Sequence, residues 1–365
     1  MLNYGILKGR LYGLDLMRAL AMLCVILTHS GYRLLFGTRY GIPAVESFFV
    51  ISGFLIGGIL IRDFAEEVNF TNLTNFWKKR WFRTLPLYYA VLLLKFLFVD
   101  HTIGTNIFYY LVFLQSNFYG IDFLPVSWTL VVEEWFYLLM PLFFIVFFRK
   151  GIKPKPFFIL IILFVLADNL LRYFWVLKTN YGYGAMVGNF VFRMDSNLIG
   201  VGLAGIRVFH PDIFKKMANV KYFIFGMIAI IVLFALFSAD GGGSDDVNEQ
   251  AIWVRTFWFG LISLCFAIII PFFYHAPVFH QTEKSNLFIR WLITWVSLLS
   301  YPVYLIHAEM YAVLHHHFPQ LLQMHHVLRF MIDNSIVVLF GLALFYGIDK
   351  PVLEYRNKFL KRSKI

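Results

Sequence analysis

The sequence is poor in charged residues and in cysteine. Asp, Glu, Lys and Arg make up 15% of its 365 residues, whereas soluble proteins average about 25%. The two cysteines, Cys24 and Cys265, both lie in apolar segments, so they indicate neither a disulfide framework nor a metal site. The first apolar run also lacks the cleavage pattern of a secretory signal peptide, and we interpret it as a retained membrane span.

Apolar and aromatic residues are abundant instead. Hydrophobic residues form 60% of the chain and aromatic residues 20%, with 43 Phe. Apolar runs of about 20 residues recur along the chain, which predicts an all-α polytopic membrane protein of about ten spans. The predicted spans are 14–34, 43–61, 84–100, 127–148, 156–177, 189–206, 221–238, 252–274, 291–314 and 327–348. The apolar piece 106–118 is too short to cross and is predicted to be a non-spanning helix.

The net charge of +11 bears on orientation. Most of the 32 Lys and Arg residues fall in segments that share one side of the membrane if the N-terminus is inside. Because cytoplasmic loops carry excess Lys and Arg, we expect both termini to be cytoplasmic. In so apolar a chain we attribute the excess of Lys and Arg to the orientation of the spans in the membrane. We therefore expect no nucleic-acid partner.

Five ionisable residues are predicted to lie at one depth in the outer half of the membrane. His29 lies toward the outer end of the first span, and Glu133 lies near the outer end of the fourth. Arg193 and Asp195 open the sixth span, and His307 approaches the same level in the ninth. Ionisable residues inside a membrane are costly and usually functional, so this convergence predicts a site.

A second polar group is predicted near the cytoplasmic face. Arg80 and Arg83 are three residues apart, hence neighbours on a helix surface, and Pro86 suits the first turn of the span that follows them. Arg18 lies about one turn inside the same face. Clustered guanidinium groups bind phosphates well, so this group predicts an anionic ligand that enters from the cytoplasm.

Six motifs then occur in the order of a known family. They are the pair Arg18 and His29, FFVISGFLIG (48–57), RWFR followed by Pro86, SWTLVVEEWFY (127–137), FRMDSNLIG, and SYPVYLIH (300–307). From about residue 11 to about residue 355 the chain resembles the membrane acyltransferase-3 family, bacterial enzymes that O-acylate sugars and glycans. The resemblance implies a multi-pass protein of the bacterial inner membrane.

The resemblance also implies the substrates and some of the site residues. The donor would be a cytoplasmic acyl-CoA, usually acetyl-CoA, and the acceptor a carbohydrate, glycan or lipid-linked sugar on the outer side. Residues that match the family's functional positions are Arg18, His29, Arg80, Arg83 and Glu133. Some relatives carry an extracellular esterase-like domain. For this sequence we expect one acyltransferase-3 membrane domain over residues 1–365 and no esterase-like domain. Whether the protein forms a homo-oligomer is left open.

A mechanism follows as a hypothesis. His29 is predicted to be the general base for an acceptor hydroxyl, with Glu133 orienting its ring. Either Arg193 or Tyr301 would donate to the developing oxyanion. Asp195 and His307 are further catalytic candidates in the same layer.

The donor is predicted to lie across the protein from the cytoplasmic face. Its CoA head would contact Arg18, Arg80 and Arg83, and Ser52 and Gly53 would line the path of the pantetheine arm. An acyl-enzyme on Ser52 or His29 is left open.

Several of these residues also have structural interpretations. Glu133 could form an ion pair with Arg193, Arg193 could pair with Asp195, and Asp168 could pair with Arg172 four residues later. Of two adjacent carboxylates, Glu133 and its neighbour in the chain, only one need face the site.

The main alternative function is a proton-coupled transporter of a small anionic or sugar solute, because outer-half His, Glu and Asp also suit proton coupling. We find no inverted repeat of the kind that transporters show. The histidines at 315–317, 325 and 326 lack the spacing of metal ligands, so we expect a solvated face and no metal.

Overall fold

A computed structural model describes residues 10–30, 41–65, 70–149, 151–242, 244, 246–275 and 287–362. This part of the chain consists of helices and connecting turns and contains no β-strand. The α-helices are α1 (Tyr12–His29), α2 (Gly41–Asp63), α3 (Phe70–Phe98), α4 (Ile107–Leu111), α5 (Gln115–Phe118), α6 (Trp128–Phe148), α7 (Pro154–Thr179), α8 (Tyr183–Val187), α9 (Asp195–Phe209), α10 (Pro211–Met217), α11 (Val220–Ala239), α12 (Ile252–Arg255), α13 (Trp258–His275), α14 (Leu287–His317), α15 (His326–Leu344) and α16 (Lys350–Arg362). A π-helical turn, Phe345–Asp349, joins α15 to α16.

Nine helices in the described ranges are long and apolar enough to cross a membrane. They are α1, α2, α3, α6, α7, α11, α13, α14 and the continuous helix His326–Phe359. Helices α7 and α11 lie at the periphery and expose large apolar side chains such as Phe174 and Ile231, as a lipid-facing surface requires. The prediction of an all-α polytopic membrane protein is confirmed.

Three predicted spans differ from the observed helices. Residues 189–206 correspond to α9, whose 15 residues extend about 22 Å, less than the roughly 30 Å of a hydrocarbon core. The predicted span 252–274 is interrupted between α12 and α13. Helix α3 begins at Phe70 rather than near residue 84, so Pro86 lies inside it rather than in a first turn. Residues 31–34 of the first predicted span lie outside the described ranges.

Helix α9 occupies the centre of the molecule, against α2, α7 and α13. Its contact with α2 depends on glycine. A Cβ atom at Gly53 would lie 2.0 Å from the carbonyl oxygen of Asn197, and one at Gly200 would lie 2.3 Å from that of Val50. Small residues let two membrane helices touch backbone to backbone, so α2 and α9 form a rigid central pair.

The other half of the molecule surrounds a cavity. Helix α1 packs against α2 and α14, and α14 also contacts α3 and α15. Helix α16 continues the direction of α15 and lies against α3. Together with α6, these helices position the side chains of the candidate site.

The non-spanning segment near 106–118 is also confirmed, as two short helices, α4 and α5, rather than one. Their backbone accepts hydrogen bonds from the long helices. The Tyr88 hydroxyl of α3 donates to the Tyr110 carbonyl at 2.9 Å, and Nε1 of Trp135 in α6 donates to the Phe113 carbonyl at 2.8 Å. This segment therefore ties α3 to α6 at one end of the bundle.

Candidate active site

One cavity of about 320 Å³ lies at the centre of the ring formed by α1, α2, α3, α6, α14 and the last helix. Five guanidinium groups, two carboxylates and several hydroxyl groups line its wall. The residues that line it include Arg10, Arg18, Val45, Phe49, Ser52, Leu55, Arg80, Arg83, Thr84, Thr129, Glu133, Tyr137, Ser297, Tyr301, Tyr304, Phe345, Asp349, Leu353 and Arg356. The three predicted phosphate-binding arginines therefore face the same space as Glu133.

Two arginines of this wall share a counter-charge. Arg10 forms an ion pair with Asp15 at 2.6 Å, and Arg18 approaches the same carboxylate at 3.3 Å. Asp15 is buried and also accepts a hydrogen bond from Ser297 at 2.9 Å. Arg18 is thus oriented toward the cavity, but part of its charge is already compensated.

The arginines contributed by α3 and α16 have no such partner. Among the residues that the structure describes, Arg80, Arg83 and Arg356 form no ion pair. The guanidinium of Arg80 lies 6.0 Å from the ring centres of both Phe76 and Tyr137. These rings hold its side chain while they leave its charge available for an anion.

Glu133 faces the cavity, whereas the adjacent Glu134 does not. The hydroxyls of Ser52 and Tyr137 are the hydrogen-bonding neighbours of the Glu133 carboxylate, and they bond to each other at 2.8 Å. Glu134 is buried behind the wall and accepts a hydrogen bond from Thr84 at 2.6 Å. The helix thus presents one of the two carboxylates to the site, as the spacing predicted.

The predicted pair of histidines is brought together. The ring centres of His29 and His307 lie 4.9 Å apart, with the rings nearly perpendicular. Nδ1 of His29 lies 2.9 Å from the Val25 carbonyl, and Nδ1 of His307 lies 2.6 Å from the Tyr304 carbonyl. A carbonyl oxygen can only accept, so both Nδ1 atoms carry the proton and both Nε2 atoms present a lone pair.

The contact predicted to orient His29 is not the one observed. Val25, not Glu133, holds the imidazole. The link between His29 and the cavity runs instead through aromatic rings, because Tyr304 lines the cavity and its ring centre lies 5.6 Å from that of His307. His29 itself is exposed at the end of α1.

Arg193 and Asp195 lie away from the cavity, in a buried ion network. Arg193 pairs with Glu46 and lies 3.6 Å from Asp195. Asp195 in turn accepts from Arg172 at 2.6 Å. The Arg193 guanidinium packs 5.7 Å from the ring centre of Phe49, which lines the cavity, so this ring separates the network from the open space.

This network decides between the structural interpretations. Arg193 and Asp195 do pair, and Asp168 does lie within 3.9 Å of Arg172. An ion pair between Glu133 and Arg193 is not formed, because Glu46 occupies that position.

The two remaining predicted residues have structural contacts. Gly53 does not line the cavity, since its Cα faces the Asn197 carbonyl of α9. Tyr301 does line it, but its hydroxyl donates to the Thr84 carbonyl at 2.7 Å. The Tyr301 hydroxyl proton is therefore already donated to the backbone, and the charge of Arg193 is compensated by Glu46 and Asp195.

Sequence reasoning missed three features. Glu46 lies inside an apolar run and could have been found by the same rule that singled out His29. Arg356 follows the last predicted span and gave no signal. His315 was expected to be solvated, yet its Nε2 lies 2.9 Å from Asp333, a fully buried carboxylate. Within the described ranges no group of three or more potential metal ligands occurs.

Comparison with known proteins identifies the family of the chain. The model of the acyltransferase-3 family, described as an acyltransferase domain, matches residues 11–348. A Staphylococcus aureus (strain MRSA252) protein named "Putative O-acetyltransferase SAR0937" is 27% identical over 95% of this chain and 59% of its own length. The O-acetyltransferase OatA of Staphylococcus aureus (strain NCTC 8325) is 28% identical over 81% of this chain and 49% of its own length.

The chain thus spans between about half and three fifths of the length of these relatives. No solved structure matches it. The family match covers most of the bundle, including α1, α2, α3, α6 and α14, but it ends before α16. The chain belongs to the acyltransferase-3 family.

Proposed function

We propose that this protein transfers an acetyl group from cytoplasmic acetyl-CoA to a hydroxyl of a glycan or lipid-linked sugar on the outer side of a bacterial inner membrane. The supporting observation is the cavity of about 320 Å³, which is lined by Arg80, Arg83 and Arg356 as well as by Glu133 and Tyr304. The relatives named as O-acetyltransferases support the choice of acyl group.

The cation-rich part of the cavity suits the donor. CoA carries several phosphate charges at one end and its thioester at the other. Guanidinium groups bind phosphate oxygens through paired, charge-assisted hydrogen bonds. Arg80 and Arg83 would hold the nucleotide, and Arg18 would contribute less because Asp15 shares its charge. The pantetheine arm would then extend past Ser52 and Leu55 toward Thr129.

The histidine pair suits the acceptor. In the proposed reaction Nε2 of His29 removes the proton from the acceptor hydroxyl, and the oxygen attacks the thioester carbonyl carbon. The carbon–sulfur bond breaks, and the departing thiolate takes the proton from the His29 imidazolium. The Val25 carbonyl keeps His29 in the tautomer that can accept this proton. His307 packs beside His29 and would help to position it.

Acceptor-dependent thiol release tests the proposal. The protein in lipid nanodiscs is supplied with acetyl-CoA and a glycan, free CoA thiol is measured, and acetylation of the glycan is followed by mass spectrometry. We expect thiol release only when the acceptor is present. Replacement of a general base typically costs a factor of about 10²–10⁴, so His29→Gln should lower transfer by at least about a hundredfold while CoA affinity stays the same.

His325→Gln is the matched control, because His325 is an exposed histidine outside the site. It should transfer acetyl groups at the normal rate. Full activity of His29→Gln would overturn the assignment of the base. Flux of a solute without thiol release would overturn the acyltransferase proposal in favour of the transporter.

A further inference from the structure

A second, smaller cavity of about 250 Å³ adjoins the main one. It lies between α3 and α16, with one residue from α2. Its walls are formed by Ile59, Phe76, Lys79, Arg80, Arg83, Arg356 and Asn357. We call this space the annex. The motif residues Arg80 and Arg83 line it, but Lys79, Arg356 and Asn357 belong to no motif and have no part in the transfer mechanism above.

The annex has a purely basic lining. Four of its seven lining residues are Lys or Arg, and none is acidic. In the part of the chain that the structure describes, none of these four cations forms an ion pair. The main cavity differs, because Glu133 and Asp349 also line it. Electrostatics therefore favour the annex as the place for the most highly charged part of a ligand.

The annex shares part of its wall with the main cavity. Arg80, Arg83 and Arg356 line both spaces, so a ligand can contact these side chains from either space. Lys79 and Asn357 line the annex alone. A ligand that occupies both spaces would place one anionic group in the main cavity and a second anionic group beside Lys79.

Arg356 is held in place without losing its charge. Its Nε and Nη2 atoms donate to the Asn357 side-chain oxygen at 3.2 Å and 2.9 Å, and its Nη1 atom lies 3.4 Å from the Lys79 carbonyl. All of these acceptors are neutral.

The π-helical turn at Phe345–Asp349 precedes α16, which lies along α3. Extra residues of this kind inside a helix often occur at functional sites.

CoA carries two separate anionic groups, one for each of these spaces. Its diphosphate lies in line with the pantetheine arm, whereas its ribose 3′-phosphate branches to the side. A phosphate monoester carries a charge between about −1.5 and −2 at pH 7 and offers three acceptor oxygens. We propose that the annex binds this 3′-phosphate through Arg356 and Lys79, so that the enzyme distinguishes CoA from dephospho-CoA. This inference rests on the proposed use of an acyl-CoA donor.

Binding of two ligands that differ in one group tests the inference. CoA and dephospho-CoA are titrated calorimetrically into the full-length protein in nanodiscs, without acceptor. We expect the wild type to prefer CoA by at least about tenfold, the size of one charge-assisted hydrogen bond. Arg356→Gln should remove most of this preference, with an affinity for dephospho-CoA within about twofold of the wild type. Lys79→Gln should remove part of it.

The chain offers two matched controls. Lys78 is adjacent to Lys79 but lines neither cavity, and Lys358 is an exposed cation on the same helix as Arg356. Lys78→Gln and Lys358→Gln should keep the wild-type preference. Retained binding of dephospho-CoA shows that each variant is folded.

The outcomes separate the two proposals. Equal affinity of the wild type for the two ligands would overturn the annex assignment and leave the acyl-CoA donor intact. Equal weakening of both ligands by Arg356→Gln would do the same, since it would place Arg356 on the diphosphate. Failure of the wild type to bind either ligand would overturn the proposed function itself.

Discussion

Two regions of this protein concentrate charge, and they differ in how that charge is compensated. In the buried network, Arg193 and Arg172 are paired with Glu46 and Asp195, and all four side chains are almost inaccessible to solvent. In the cavity and the annex, the cations of α3 and α16 form no ion pair within the described part of the chain, although the Asp349 carboxylate lies close enough to Arg83 and Arg356 to interact with them electrostatically.

The difference indicates which charges serve the fold and which serve a ligand. A buried charge is tolerated only when it is paired and hydrogen-bonded. The network meets this condition with its own residues. Arg80, Arg83 and Arg356 do not meet this condition. Their charges are tolerated because the side chains stay accessible to water or to an anion. The presence of charged residues therefore does not identify the site, whereas the presence of cations without an ion-pair partner does.

The largest expected effect is the loss of stability when the buried ion network is broken. Arg193→Met leaves the Glu46 carboxylate buried without its partner, which typically costs about 3–5 kcal/mol of the free energy of unfolding. Thermal unfolding in detergent, followed by size-exclusion chromatography, measures this loss. The double variant Glu46→Leu, Arg193→Met should recover part of it. A stable Arg193→Met protein that has lost acetyl transfer would instead assign Arg193 to the reaction.

The next effect compares two arginines of the cavity. Arg80→Ala should weaken CoA binding by about 1.5–3 kcal/mol, because a charged hydrogen bond to phosphate is lost. Arg18→Ala should have a smaller effect, since Asp15 already compensates part of its charge. Equilibrium binding of CoA measures both. Equal losses would show that Asp15 does not reduce the contribution of Arg18.

A third comparison concerns neighbours in α2. Gly53→Ala forces a Cβ atom against the Asn197 carbonyl, and overpacking of this kind typically costs about 1–3 kcal/mol of stability. Ser52→Ala removes a hydroxyl that faces the cavity and should leave the melting temperature nearly unchanged. The two variants are compared by thermal unfolding. An unaffected Gly53→Ala protein would contradict the close contact of α2 with α9.

The smallest effect is expected at Tyr301. Tyr301→Phe removes the hydrogen bond to the Thr84 carbonyl and should cost about 0.5–1.5 kcal/mol of stability. Because that proton is already donated to the backbone, the rate of acetyl transfer should change by only a few-fold. Single-turnover kinetics provides the measurement, and a hundredfold decrease would identify Tyr301 as the oxyanion donor after all.

The sequence predicted the long helices well, because membrane spans follow from apolar runs of sufficient length. It also assigned Arg80 and Glu133 to one ligand path, and both line one cavity. It predicted the pairing of Arg193 with Asp195 but not the pairing with Glu46. Asp195 is two residues away in the sequence, whereas contact with Glu46 depends on how α2 and α9 are rotated against each other.

Two features depended on how helices begin and continue, which composition does not show. The start of α3 at Phe70 is polar enough to resemble a loop, so Arg80 and Arg83 were expected to precede a span rather than to lie within a helix. Arg356 follows the last predicted span. Only the unbroken helix through the π turn brings it to the cavity.

The buried network also has a consequence for how the chain enters the bilayer. During synthesis α7 is made before α9, so Arg172 arrives before its main partner Asp195. Asp168, one turn earlier in α7 and 3.9 Å from Arg172, provides a temporary counter-ion within the same segment. Arg193 finds Glu46 of α2 already inserted. Because of this order along the sequence, each arginine has a carboxylate counter-ion available when its segment enters the bilayer.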